Sequence, residues 1–232
     1  MSGGDTPGVQ PGLSGVQPGL LRLAILISGR GSNMVAIARA CAEGRIDARI
    51  ALVLSERPGV AGLDAARALG LEARTVAWPG AAERPRFERD LDSALATAQP
   101  DLILLAGFMR ILSQPFVQAH AGRILNIHPS LLPKYTGLHT HRRVLEAGDP
   151  VHGASVHFVT AELDGGPLIL QSRVTVRPGD TEDTLSARVQ ATEYIIYPRV
   201  VGWLADGRLV WRDHQPWLDG KPLAAPVVED FT

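Results

Sequence analysis

Residues Leu21–Ile27 read LRLAILI, residues 28–33 read SGRGSN, and residues 34–43 read MVAIARACAE. The first run is apolar, branched and of strand length, which suits a buried strand. SGRGSN interrupts it with turn residues. Met34, Ile37, Ala38 and Cys41 then recur at helical spacing until Gly44 stops the pattern. Cys41 lies on that apolar stripe, where a cysteine packs as a small hydrophobe. The same strand–turn–helix unit repeats downstream. Residues 48–54 read as a strand, 60–69 as a helix stopped by Gly70, 72–77 as a strand and 84–98 as a helix ending before Pro100. DLILLAG at 101–107 is the most apolar strand and reads as central. Ser113 can cap a short helix with Pro115 in its first turn, and 123–127 forms a fifth strand. Strand–helix alternation of this length predicts an α/β fold: a mostly parallel twisted sheet with helices on both faces.

The pattern changes after residue 150. Residues 153–159 and 168–176 flank AELDGG and read as an antiparallel extension of the sheet. Residues 181–206 form one long helical region with Pro198 late in it, and 208–211 a short last strand. Residues 1–20 contain six Gly and three Pro, and GVQPGLS at 8–14 is echoed by GVQPGLL at 15–21. So few side chains cannot offset ordering entropy, which predicts a disordered tail. The organisation expected is a tail at 1–20, one domain at 21–220 and a C-terminal tail at 221–232.

Composition narrows the class. The 232 residues are 45% hydrophobic and 20% charged, which fits one generous globular domain. A formal net charge of −1 and no Lys/Arg run argue against nucleic acid as a partner. The apolar runs fall short of the roughly 18–20 residues of a membrane span, so no membrane partner is expected. The first basic residue is Arg22, which fits neither a signal nor a transit peptide. Cys41 is the only cysteine, which points to a reducing compartment and a cytoplasmic location.

Three segments offer chemistry. In SGRGSN the glycines allow a close turn and the helix amides point outward, a cradle for a monophosphate or carboxylate. A plain tight turn explains the same residues. A dinucleotide site would need a third Gly where Met34 stands, although Glu56 could serve as its ribose-binding acid. Asn126 and His128 in NIHPSLLPKYTG are two apart and point to one side of an extended chain. An amide beside an imidazole suits polarising a carbonyl and holding an oxyanion; on the residues alone a capping Asn and a satisfied His are the slightly favoured account. Asp164 lies in the ELDGG turn, where Asp commonly bonds its own backbone, but it could also support a nearby imidazolium. His139 and His141, with His128, His152 and His157 not far along the chain, lack ordinary zinc spacing, and no metal is expected. Trp203, Trp211 and Trp217 read as packing.

SGRGSN, AGFMRIL at 106–112, NIHPSLLPKYTGLHTH at 126–141 and HFVTAELDGGPLILQ at 157–171 resemble, in order and spacing, the folate-dependent phosphoribosylglycinamide formyltransferases. The resemblance runs from about Leu21 to Gly220. It implies the formyltransferase fold and formyl transfer from 10-formyltetrahydrofolate, a co-substrate, to the amine of 5-phosphoribosylglycinamide in purine synthesis. Carried over by motif, Asn126, His128 and Asp164 would be catalytic. Gly31, Ser32, Asn33, Gln190 and Glu193 would hold the ribonucleotide. Arg84, Met109, Arg110, Ile111, Leu112, Val117, Asn126 and Val159 would bind the folate, Arg84 at its acidic tail. Thr136 departs from the KYPG of many members. The implied partners are small molecules; monomer and weak homodimer both fit.

Two related enzymes share parts of the pattern. Formyltetrahydrofolate hydrolases usually carry an N-terminal regulatory domain, which residues 1–20 are too few to supply. Methionyl-tRNA formyltransferases normally add a basic C-terminal domain. A non-enzymatic nucleotide-binding module would have no use for Asn126, His128 and Asp164 together.

Overall fold

The computed structural model describes residues 20–232; the tail expected at 1–20 lies, but for its last residue, outside the described residues. The chain runs β1 (Leu21–Ile27), α1 (Ser32–Ala42), β2 (Ala48–Ser55), α2 (Ala61–Ala68), β3 (Ala73–Thr75), α3 (Arg84–Ala98), β4 (Leu102–Leu105), α4 (Gln114–Ala119) and β5 (Ile124–His128). It continues with α5 (Thr140–Ala147), β6 (Val151–Phe158), β7 (Leu168–Thr175), α6 (Glu182–Ala205), β8 (Leu209–Arg212), β9 (Gln215–Leu218), β10 (Lys221–Pro222) and β11 (Val227–Phe231).

One sheet carries the order β11-β7-β6-β5-β4-β1-β2-β3. Its β5-β4-β1-β2-β3 portion is parallel, as the alternation predicts, and β6 and β7 extend it antiparallel. Side chains on β1 alternate between faces. Leu23, Ile25 and Ile27 join the core under α1, α2 and α6, whereas Ala24 and Leu26 join the core under α3 and α4. Both faces are therefore covered, which is why β1 is apolar from Leu23 to Ile27. On α3, Phe87, Leu91 and Leu95 recur every fourth residue and seal the second face. Ser113 caps α4, as its sequence suggests, accepting from the Phe116 N–H at 3.4 Å.

Helix α6 begins at a capping box made by Thr181 and Thr184 and contains Pro198. Its Tyr197 is fully buried, and the hydroxyl reaches the carbonyl oxygens of Leu105 and Leu125, each at 3.2 Å. This ties α6 to the end of β4 and to β5. Trp211 packs on Phe158, with ring centroids 4.7 Å apart. Among the described residues no helix is long and apolar enough to cross a membrane.

Two expectations are corrected at the C-terminus. Residues 208–211 are not the last strand, because β8, β9 and β10 form a small antiparallel sheet. Residues 221–232 are not a tail: β11 pairs parallel with β7 and closes one edge of the main sheet. Arg173 and Asp230 make a paired contact across it at 2.8 Å.

Candidate active site

The carboxyl ends of β1, β4 and β5 open on a cleft of about 770 Å³. Strand ends of this kind are where open α/β sheets bind ligands. Of the residues named from the resemblance, Arg84 alone does not line the cleft. It is half-buried at the start of α3, and its Nε has no hydrogen-bond partner among the described residues.

The SGRGSN loop enters α1 through Gly31, whose φ of 70° is left-handed and suits glycine. Helix α2 presses on this loop. Gly62 donates to the Gly29 carbonyl at 3.0 Å, and a Cβ on Gly62 would stand 2.6 Å from that oxygen. The first turn of α1 has no side-chain cap and no acidic residue. Its amides and positive dipole end therefore suit an anion. Asn33 and Ser32 are tied to α6: Asn33 Nδ2 donates to Glu193 Oε2 at 2.7 Å, and Gln190 Nε2 to Ser32 Oγ at 3.4 Å.

Glu193 is 7% exposed. Burial pushes its carboxyl up to about 7, against the lowering effect of the Asn33 hydrogen bond. A raised carboxyl is neutral in the folded chain while already ionised in the unfolded one, so stability falls as pH rises from about 4.5 to about 7. Glu193→Gln keeps an acceptor for Asn33 and removes the titration. It should therefore melt higher than the parent at pH 8, by a free energy on the order of 3 kcal/mol, and equally at pH 4. Thermal melts at the two pH values check this.

Asn126 and His128 occupy alternate positions at the end of β5 and both face the cleft. In the β5–β6 register Asn126 lies opposite His157. His157 Nδ1–H donates to the Phe158 carbonyl at 2.9 Å, so Nε2 is left to accept from Asn126 Nδ2 at 3.1 Å. Burial lowers the pKa of His157, which keeps it in this neutral form. The histidine thereby fixes which way the Asn126 amide points. The sequence shows His157 only as one of several histidines; pairing register is what reveals its partner.

His128 Nε2–H donates to the Tyr135 carbonyl at 2.9 Å. Its Nδ1 lies 3.6 Å from Asp164 Oδ2, and both side chains are less than one-tenth exposed. That separation is too long for a hydrogen bond, and it becomes an ion pair only when the imidazole is protonated. Asp164 Oδ2 also accepts the Gly137 N–H at 2.8 Å, joining the ELDGG turn to the 131–139 loop. Asn126, His128 and Asp164 thus line one cleft, with Nδ1 as the His128 atom beside the carboxylate. His141 and His152 form a separate pair, Nδ1 to Nε2 at 3.0 Å. No group of three or more potential metal ligands occurs among the described residues.

Glu56 cannot act as a ribose-binding acid. Its side chain is fully enclosed and bonded to Ser28, which removes the dinucleotide reading. The 109–112 segment presents Met109 and Ile111, each 60% exposed, beside buried Leu112 and Val117. With half-buried Val159 these give the cleft an apolar wall suited to a flat ring.

Residues 21–201 match the formyl transferase family model. The chain is 51% identical over 203 residues to the phosphoribosylglycinamide formyltransferase of Escherichia coli (strain K12), covering 88% of this chain and 96% of that protein. The solved phosphoribosylglycinamide formyltransferase of Coxiella burnetii is 46% identical, with a TM-score of 0.85 over 90% of this chain and 99% of that one. A formyltetrahydrofolate deformylase from Pseudomonas syringae shares the fold with a TM-score of 0.80 at 21% identity, and this chain spans 66% of it. With its mostly parallel sheet, its cleft at the strand ends and a match over most of its length, the chain belongs to the formyl transferase family.

Proposed function

We propose that this protein transfers the formyl group of 10-formyltetrahydrofolate directly to the amine of 5-phosphoribosylglycinamide, in purine biosynthesis. One observation carries the reading: an anion cradle at the start of α1 and the Asn126, His128 and Asp164 side chains line the same cleft. That combination serves a phosphorylated acceptor whose reacting group is an amine. A hydrolase needs no phosphate cradle for water.

The ribonucleotide phosphate lies against the amides of Gly31, Ser32 and Asn33, near Gln190. Glu193 receives the ribose or glycinamide end, where a cationic amine would favour its carboxylate form. The folate, a consumed co-substrate, lies along Met109–Leu112, Val117 and Val159. The amine attacks the formyl carbon, and negative charge develops on the carbonyl oxygen. Asn126 donates its remaining amide N–H to that oxygen. Asp164 balances the positive charge on His128 as the imidazole takes the proton lost by the amine; the oxyanion then collapses, the bond from the formyl carbon to the folate nitrogen breaks, and that nitrogen takes up a proton as tetrahydrofolate leaves. Holding two substrates in line supplies much of the remaining rate. Cys41 is a free, half-buried thiol, in keeping with a cytoplasmic setting.

An acceptor screen tests the reading. The protein is mixed with 10-formyltetrahydrofolate and given 5-phosphoribosylglycinamide, initiator tRNA, or water alone. Deformylation should require the ribonucleotide; equal turnover in water alone would identify a hydrolase. Within this reading, Ser32→Ala and Asn33→Ala should raise KM for the ribonucleotide about tenfold and leave that for the folate within about twofold. Steady-state kinetics in each substrate check it, and a change confined to the folate would reassign the loop.

A further inference from the structure

Beneath the cleft, the ends of three neighbouring strands are cross-linked by a side chain with no part in the mechanism above. Strands β4, β1 and β2 are adjacent. Ser28 follows β1, Glu56 follows β2, and Met109 and Arg110 follow β4. The Glu56 side chain has no exposure. Its Oε2 accepts the Ser28 hydroxyl at 2.8 Å, and because that proton is committed, Ser28 Oγ is free to accept the Met109 N–H at 2.7 Å. Glu56 Oε1 faces Arg110 Nε at 3.4 Å, and neither atom has a hydrogen-bond partner among the described residues. The Arg110 guanidinium in turn lies 5.1 Å over the Trp78 ring, and the Trp78 N–H donates to the Glu56 carbonyl at 3.0 Å.

An enclosed carboxylate is costly unless it is paired. Arg110 is the one ion-pair partner of Glu56 among the described residues. The pairing bears on the segment 107–112, which is neither helix nor strand. Its flanks are held where Ala106 N–H meets the Leu26 carbonyl at 2.9 Å and Ser113 N–H meets Glu88 Oε1 at 2.7 Å. Between those points its polar contacts are Met109 on Ser28 and Arg110 on Glu56, beside the packing of Phe108 and Leu112 on the core under α3 and α4. This stretch supplies the apolar wall and exposed main chain of the folate side.

We propose that Glu56 is a positioning residue for the folate: its carboxylate, acting through the Ser28 hydroxyl and the Arg110 guanidinium, holds 109–111 in the shape the folate lies on. The proposal rests on the functional reading above. Ser28 also opens the phosphate loop, but the carboxylate acts toward the β4 side, so the effect falls on one substrate.

The test measures KM for each substrate and, independently of transfer, calorimetric binding of an unreactive folate. Glu56→Gln keeps an acceptor for Ser28 and removes the charge. It should weaken folate binding and raise the folate KM about tenfold, with kcat and the ribonucleotide KM within about twofold. Ser28→Ala, which leaves the ion pair but cuts the link to Met109, should move the folate KM in the same direction and covers a failure of Glu56→Gln to fold. Arg110→Met strands the buried carboxylate. Adding Glu56→Gln to Arg110→Met should therefore restore part of the lost stability and folate affinity, where independent roles would add. Unchanged folate binding in Glu56→Gln, equal rises in both KM values, or additive losses in the double variant would overturn the proposal. A parent protein that binds the folate but lacks ribonucleotide-dependent transfer would sink the functional reading, while the folate-binding arm still decides the role of Glu56.

Discussion

Asp164→Asn should lower turnover about a hundredfold while both substrates still bind. Asp164 has φ 52°, a left-handed conformation that Asn tolerates as readily as Asp, so the turn survives the change. The oxygen that accepts from Gly137 is the same Oδ2 that faces His128 Nδ1 at 3.6 Å. An Asn carbonyl oxygen can take that place and keep the Gly137 bond. What disappears is the negative charge, at a site less than one-tenth exposed, where solvent does little to replace it. His128 would then gather positive charge with nothing to balance it. Turnover should fall, and calorimetric affinities for the ribonucleotide and an unreactive folate should hold within about threefold. Turnover close to the parent's, in a folded variant at pH 7–8, would take Asp164 out of the mechanism.

Asn126→Ala should cost about a hundred- to a thousandfold in turnover, the usual loss for one oxyanion donor. The donor is prepared before any substrate arrives. His157 can offer Nε2 only as an acceptor, because its Nδ1–H is held by the Phe158 carbonyl, and Asn126 must turn its amide nitrogen toward it. One amide proton is used there and the other is left for the cleft. Asn126→Asp has the same shape but no donor, and it adds a negative charge where one must develop. It should be at least as slow as Asn126→Ala. Single-turnover measurements with both substrates saturating separate this loss from binding. An Asn126→Asp enzyme faster than Asn126→Ala would show that shape matters here and donation does not.

Much of the parallel half of the sheet could be read from its residues because both faces of it are covered. LRLAILI and DLILLAG are apolar for that reason beyond Arg22 and Asp101 at their starts, and the helices between carry stripes such as Phe87, Leu91 and Leu95. Helix α5 left no such mark. It buries only Thr140 and Val144, and its charged outer face resembles a loop. Strand β11 was hidden differently. Residues 227–231 alternate between half-buried and exposed, but with one neighbouring strand they carry too little apolar side chain to separate them from a tail. The site divides in the same way. Residue types and spacing made Asn126 and His128 candidates, because both lie on one short strand. The closeness of Asp164 to His128, of His157 to Asn126 and of Glu56 to Arg110 depends on strand pairing between distant segments. Only the first of these was supplied by resemblance to a family.

Direct transfer within one cleft is tested by following the carbon itself. The protein is incubated with 10-formyltetrahydrofolate carrying 13C in the formyl group and an equal amount of 5-phosphoribosylglycinamide, and the carbon is observed by NMR. The label should pass one-for-one into the formamide of the ribonucleotide, with no build-up of free formate. Label released as formate at a rate indifferent to the ribonucleotide would contradict the account.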